Sequence, residues 1–204
     1  MADYDFAKIE KKLSKYLDED RFQHTMGVMY TSACLAMVHG YDIKDAQVSG
    51  LLHDCAKCIP NKKKLKMCSE HNIPVSDFER SHPFLLHSRL GAYIAHEKYG
   101  IDDQEILSAI NYHTTGRREM SLLEKIIYIA DYIEPMRYKA SRLPEIRKLA
   151  FEDLDECMYE ILKDTLEYLE ENPKEIDSTT RDAYVYYKEL HDRKMQDAAN
   201  RQEY

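Results

Sequence analysis

The sequence is poor in turn-forming residues: among 204 residues it has only six glycines and six prolines, and it has no tryptophan. So few leave little material for an all-β fold, which needs a turn after nearly every short strand. No segment approaches the ~20 consecutive apolar residues of a membrane span. The N-terminal stretch MADYDFAKIEKK has neither a basic region nor an apolar core, so we expect no signal peptide.

The chain also has no excess of positive charge, since its formal net charge is −8 at pH 7. Binding to a nucleic-acid backbone needs a clustered basic face. The one dense basic run, NKKKLK at residues 61–66, is more typical of the solvated side of a short helix. We therefore expect neither a nucleic-acid partner nor a membrane partner.

The five cysteines are an odd number in a chain with no recognisable export signal, so we expect reduced thiols and a cytoplasmic protein. Cys55 and Cys58 do form a C-x-x-C motif. Neither a second pair, a nearby His-x₃-His nor a βαβ pattern accompanies it. A zinc or redox role for these two residues is therefore disfavoured.

Helix-favouring residues are abundant, with Leu, Ala, Glu, Lys and Tyr dominant. Apolar spacing predicts an all-α fold, because no alternating strand pattern of convincing length occurs. Two capping boxes are predicted, Asp102 with Glu105 and Ser121 with Glu124. We expect a single domain over 1–195, with a metal-binding core at about 15–140, C-terminal helices at 144–195 and a loose tail at 196–204. The predicted helices cover about 6–16, 20–40, 43–59, 61–71, 83–100, 102–113, 121–135, 144–172 and 177–195.

Asp131 is an ionisable residue on an apolar helix face. In SLLEKIIYIADYIEP, Leu123, Ile127 and Asp131 are four residues apart and share one side of the helix. A carboxylate in that position must be paired, protonated or bound to a cation.

Histidines occupy similar positions on other predicted helices. His24 lies in RFQHTMGV, His53 and Asp54 directly follow two leucines, His87 lies in FLLHSRLGA, and His113 ends ILSAINYH. Each alone has an ordinary explanation, because a histidine on an apolar face is usually a hydrogen-bonded core residue and an aspartate there is usually salt-bridged. Their coincidence in one small domain favours a shared metal site.

As a ligand set, His24, His53, Asp54 and Asp131 supply two imidazoles and two carboxylates. These donors suit Fe²⁺, Mn²⁺, Co²⁺ or Zn²⁺ rather than a thiophilic ion. A metal-bound water becomes a nucleophile near neutral pH while the ion polarises a phosphoryl oxygen. His87 and His113 would bind a second ion or contact substrate phosphate. The predicted chemistry is hydrolysis of a phosphate ester or anhydride.

These residues resemble the signature of the HD superfamily of metal-dependent phosphohydrolases: a His, a His-Asp doublet and a distant Asp. The resemblance is closer to the YqeK-like bacterial family, symmetrical hydrolases of dinucleoside tetraphosphates, and spans about residues 15–190. The matching blocks are RFQHT (21–25), LLHDCAK (51–57), LLHSRLGA (85–92), AINYHTTGR (109–117) and IIYIADYIEPMR (126–137).

The resemblance implies an HD-domain helical bundle with a C-terminal helical extension. It also implies cleavage of diadenosine tetraphosphate into two ADP at a divalent metal site, most often iron. Within it, Asp54, Lys57, His87 and His113 are the expected catalytic residues, and His87 and His113 match members with dinuclear sites. The expected substrate contacts are Arg21, Lys57, His87, His113, Thr114, Thr115, Arg117, Arg137 and Arg181.

Two alternatives stay open from the sequence. The first is another HD-type enzyme: a 5′-nucleotidase, a cyclic-dinucleotide phosphodiesterase or an alarmone hydrolase. The second is a nucleotide-sensing module that binds without turnover. The expected partner is a small-molecule nucleotide in every case, and a homodimer is one assembly that the sequence allows.

Overall fold

The computed structural model describes residues 4–138, 140, 142–171 and 176–202. Within those residues the chain forms eleven α-helices, one short 3-10 turn at Pro83–Leu85 and no β-strand, so the all-α prediction is confirmed. The helices are α1 Phe6–Leu13, α2 Glu19–His39, α3 Ile43–Leu52, α4 Asn61–Glu70, α5 Asp77–Ser81, α6 Leu86–Tyr99, α7 Gln104–Tyr112, α8 Leu122–Ile133, α9 Leu143–Ala150, α10 Leu154–Glu171 and α11 Ser178–Gln202.

Short polar side chains define where several helices begin. Asp18 and Asp42 accept the backbone N–H groups of Arg21 and Asp45 at the starts of α2 and α3. Such caps satisfy donors that the first helical turn leaves without partners. The capping box predicted at Ser121 is present at the start of α8. These local signals set the phase of each helix and so determine which side chains face inward.

Helices α2, α3, α7 and α8 pack against one another around a continuous apolar core, with α6 against α7 and α10 against both α8 and α11. The approach of α3 to α2 depends on Gly50. A Cβ atom there would lie 2.9 Å from Ser32 Oγ and 3.0 Å from Met29 Cα. The glycine lets the end of α3, where His53 follows, lie close against α2.

The structure corrects several of the helix predictions. The long helix expected over 144–172 is two helices, α9 and α10, because the chain turns at 151–153 and Asp153 then caps α10 through the N–H of Glu156. Asp103, rather than Asp102, caps α7. Short helix α5 was not predicted. The expected loose tail is helical as far as Gln202; residues 203–204 lie outside the described part of the chain.

None of the helices in the described ranges combines the length and apolar character needed to cross a membrane.

Candidate metal centre

The predicted ligands His24, His53, Asp54 and Asp131 come together in the core, from α2, from the turn after α3 and from α8. His24 Nε2 lies 3.0 Å from Asp131 Oδ1, and His53 Nε2 lies 4.0 Å from the same oxygen. His53 Nε2 is also 3.5 Å from Asp54 Oδ2. Residues 107 positions apart in the chain therefore present nitrogen and oxygen atoms to one small volume.

The end of α3 explains how neighbouring residues can both face this volume. The helix was expected to continue to about residue 59, but it ends at Leu52. Tight turns follow: the backbone N–H of Cys55 donates to the backbone carbonyl of Leu52, and the backbone N–H of Lys57 donates to the backbone carbonyl of Asp54. Leaving the regular helix lets His53 and Asp54 converge, and both are almost fully buried.

His87 and His113 join the same cluster on the other side of Asp54. Their Nε2 atoms are 3.1 Å apart and lie 3.2 and 3.4 Å from Asp54 Oδ1. Lys57 Nζ is 3.1 Å from His87 Nε2, and Thr114 Oγ1 lies 3.1 and 3.0 Å from the two Nε2 atoms. We call His24, His53 and Asp131 the first half of the centre and His87 and His113 the second half, with Asp54 between them.

Hydrogen bonds from Nδ1 to backbone carbonyls define the tautomer of three of the histidines. The Nδ1 atoms of His53, His87 and His113 lie 2.6, 2.6 and 2.7 Å from the backbone carbonyls of Gly50, Phe84 and Ile110. A carbonyl only accepts, so Nδ1 must carry the proton and donate it. In the neutral ring Nε2 then holds a lone pair, which is the form that binds a metal.

Several lone pairs of the centre have no donor in the part of the chain that the structure describes. They belong to His24 Nε2 and His53 Nε2 in the first half and to Asp54 Oδ1, which faces the second half. Buried lone pairs that face one another are unfavourable, and each unsatisfied buried group costs about 1–3 kcal/mol. A divalent cation would satisfy them together, so these residues fit a metal ion.

Both aspartates remain ionised in this setting. Burial would raise the pKa of Asp54, but the imidazoles of His53, His113 and His87 outweigh it and hold that pKa well below its usual range. Burial opposes ionisation of Asp131 too, while His24, His53 and the Arg137 guanidinium keep its pKa well below normal. Two negative charges are thus available to balance a divalent ion.

In the second half, burial keeps the His87 ring neutral. Burial lowers the pKa of His87 to about 4 in spite of the nearby Asp54 carboxylate. The ring is therefore neutral at physiological pH and accepts a hydrogen bond from Lys57 or Thr114. An acceptor that already has protein donors does not by itself call for a second metal ion.

The predicted arginines have different positions. Arg21 Nη1 lies 2.7 Å from Asp54 Oδ2, and Arg137 Nη2 lies 2.7 Å from Asp131 Oδ1, so both reach the centre. Arg117 was expected to bind phosphate with its forked guanidinium, but Nε and Nη2 are bonded to the buried Glu124 at 3.0 and 2.9 Å. Arg181 is exposed on the first turn of α11, with no side-chain bond to the centre among the described residues.

Thr115 lies next to Thr114, but its hydroxyl donates to the carbonyl of Gly116 at 3.1 Å. Cys55 and Cys58 have separate partners, since their Sγ atoms contact the Gly91 carbonyl and Asp18 Oδ2 respectively. Burial raises the pKa of the Cys55 thiol to about 12, which keeps it protonated.

Glu134 is a residue that the sequence reasoning missed. It is only 1% exposed, and its Oε1 atom lies 3.0 Å from Nδ1 of His24. A signal for it exists in the sequence, because Glu134 follows Asp131 by three residues, one helical turn, and immediately precedes Pro135. Glu134 is thus a second buried carboxylate at the end of α8.

Comparison with known proteins places this geometry in a family. The sequence profile of the HD domain matches residues 21–136, which include all six histidines and aspartates of the centre. The chain belongs to the HD-domain family. Its fold also agrees with a solved structure described as a predicted HD superfamily hydrolase involved in NAD metabolism, from Clostridium acetobutylicum. That chain is 38% identical, the TM-score is 0.88, and the match covers 93% of this chain and 100% of that one.

Relatives within this HD-domain family carry a more specific name. A Bacillus subtilis (strain 168) protein is 40% identical over 77% of this chain and 83% of its own length, and is called a symmetrical bis(5′-nucleosyl)-tetraphosphatase. A Staphylococcus aureus protein of the same name is 36% identical over 87% of this chain and 92% of its own length. These matches agree with the resemblance drawn from the sequence blocks.

Proposed function

We propose that this HD-domain protein is a metal-dependent hydrolase that splits dinucleoside tetraphosphates, such as diadenosine tetraphosphate, symmetrically into two nucleoside diphosphates. The observation that carries the proposal is that three buried acceptors without a partner among the described residues, His24 Nε2, His53 Nε2 and Asp54 Oδ1, converge on one centre. The names of the relatives supply the substrate class. Residues 1–195 would act as one catalytic domain.

The proposed metal ligands are His24, His53, Asp54 and Asp131. A bound divalent ion supplies an acidic water as nucleophile and polarises a phosphoryl oxygen. Iron is the ion we propose, and manganese, cobalt and zinc share its preference for mixed imidazole and carboxylate donors. The two negative charges of Asp54 and Asp131 would offset the two positive charges of the ion.

The chain's own residues bind and orient the polyphosphate. Lys57 is partly exposed and lies 3.6 Å from Asp54 Oδ1, so its ammonium group stands at the edge of the proposed metal site. Arg21 and Arg137 each hold one carboxylate and keep further N–H groups for phosphate oxygens. These three cations give an otherwise acidic protein a local positive surface for a highly charged substrate.

The residues of the second half would act on the phosphoryl group that water attacks. When substrate binds, the Thr114 hydroxyl would turn from the histidines and donate its hydrogen bond to phosphate. His87 and His113 would then accept or relay a proton at Nε2. Water adds to one of the two central phosphorus atoms in line with the bridging oxygen that leaves. That bond breaks, the bridging oxygen departs on one ADP, and the water oxygen remains on the other. Lys57 stabilises the charge on the leaving oxygen.

Anaerobic purification with metal quantification, followed by a panel of nucleotide substrates, tests this function. We expect about one equivalent of a divalent metal and conversion of diadenosine tetraphosphate to ADP alone. Products of ATP and AMP would contradict symmetric cleavage. Preferred turnover of a 5′-mononucleotide, a cyclic dinucleotide or an alarmone would assign another HD-type activity. Nucleotide binding without turnover would identify a sensor.

A further inference from the structure

Glu134 lies beside His24 without belonging to the proposed ligand set. We propose that Glu134 is a positioning residue that holds His24 in the metal-binding tautomer. This inference rests on the proposed metal site. We further propose that Gly27 is a glycine because any side chain there would displace the Glu134 carboxylate.

His24 takes its acceptor from a distant part of the chain, unlike the other three histidines. His53, His87 and His113 each donate to the backbone carbonyl three residues before them. For His53 and His113 that carbonyl belongs to the last turn of a helix, where carbonyls lack an intrahelical partner. His24 lies inside α2, and its Nδ1 atom meets the Glu134 carboxylate instead.

Glu134 supplies that acceptor and is itself held in place. Its Oε1 atom lies 3.0 Å from His24 Nδ1, and its Oε2 atom accepts the backbone N–H of Met136 at 2.6 Å. Arg147 from α9 donates to the carbonyls of Ile133 and Glu134, both at 2.9 Å, which fixes the end of α8. A carboxylate accepts only, so Nδ1 of His24 donates and Nε2 points its lone pair at the centre.

Gly27 provides the space for this carboxylate. It is three residues after His24 on α2 and so faces the same way. A Cβ atom at position 27 would lie 2.6 Å from Glu134 Oε2 and 3.4 Å from its Cδ. Glycine inside a helix is normally unfavourable compared with alanine, so its presence here needs a specific reason.

Glu134→Gln tests the positioning directly. Glutamine has one acceptor oxygen, so it cannot accept from both His24 Nδ1 and the Met136 N–H. If its NH₂ group faces His24, the ring switches tautomer and Nε2 becomes protonated. We expect Co²⁺ affinity, measured by competition with a chelator, to fall about 10–100-fold, with a changed Co²⁺ absorption spectrum.

Gly27→Ala provides a second variant that acts through the same carboxylate. Alanine is the better helix former, so folding should be retained while Co²⁺ affinity falls on the order of tenfold. In a Glu134→Ala variant there is no carboxylate for the Cβ atom at position 27 to displace. Adding Gly27→Ala to that variant should therefore weaken Co²⁺ binding no further. That non-additivity measures the coupling between positions 27 and 134. If Glu134→Gln folds poorly, the double variant still tests whether Glu134 positions His24.

Glu124→Gln is the matched control. Glu124 is equally buried but lies at the opposite end of α8, where it accepts from Ser121 and Arg117. Its variant should keep wild-type Co²⁺ affinity. An unchanged affinity and spectrum in Glu134→Gln, or equal losses in both glutamate variants, would overturn the inference. Failure of the wild type to bind Co²⁺, or unchanged binding by His24→Ala, would instead overturn the proposed metal site.

Discussion

The two halves of the centre are made of the same residue types but have different surroundings. In the first half, His24 Nε2 and His53 Nε2 are buried and have no hydrogen-bond donor among the residues that the structure describes. In the second half, Lys57 and Thr114 lie about 3 Å from the Nε2 atoms of His87 and His113. The comparison shows that histidines in one cluster can have different hydrogen-bond partners, because nearby protein donors reach the lone pairs of the second half.

Asp54 touches both halves, so its removal should have the largest effect. We expect Asp54→Ala to reduce bound metal to background and turnover of diadenosine tetraphosphate by at least about 10³-fold, since both ligand field and charge balance are lost. The far-ultraviolet circular dichroism spectrum of the variant should remain that of a helical protein. Metal content and the steady-state rate of hydrolysis are measured on the same purified sample, and hydrolysis at the wild-type rate would contradict the proposed site.

Paired variants in the two halves test the comparison itself. His24→Ala should lose the metal, whereas His113→Ala should retain it and lose about 10²-fold in kcat, because only the first half lacks other partners. Both proteins need metal quantification after identical purification. Equal metal loss in the two variants would mean that one ion or ion pair spans both halves, and the contrast drawn here would be wrong.

Lys57→Ala should have a smaller effect than loss of a ligand. The ammonium group contacts His87 and lies near Asp54, so we expect full metal content with a decrease of about 10²-fold in kcat from the lost stabilisation of the leaving group. Separate determination of kcat and KM shows whether the variant loses catalytic rate, as expected, or substrate affinity. Wild-type kinetics would remove the role proposed for Lys57.

Arg117→Ala should change stability rather than catalysis. Its guanidinium holds Glu124, which is fully buried at the start of α8, and the guanidinium itself is about one-third exposed. We expect the free energy of unfolding to fall by about 1–3 kcal/mol, with kcat/KM within twofold of wild type. Urea unfolding and steady-state kinetics measure the two quantities. A large loss of kcat/KM with unaltered stability would restore the phosphate-binding role first expected from the sequence.

Several features of the centre could be predicted from local patterns. Asp131 was recognisable because it interrupts an apolar face that Leu123 and Ile127 define, and His24 and His113 were found in the same way. Glu134 lies one helical turn after Asp131, but its partner His24 is 110 residues away, so its role beside His24 follows only from the fold. The phosphate contact predicted for Arg117 stays a prediction, and the structure adds that its guanidinium is bonded to Glu124.

Helix spacing and capping residues, which act over a few positions, determined the all-α class and the inward direction of most polar residues in this chain. Only the packing of α2, α3, α6, α7 and α8 decided which of those residues meet, which lone pairs stay without donors, and which arginines are already paired. The physical reason is range: periodicity and caps follow from neighbouring residues, whereas burial and partner choice depend on atoms brought together from distant parts of the chain.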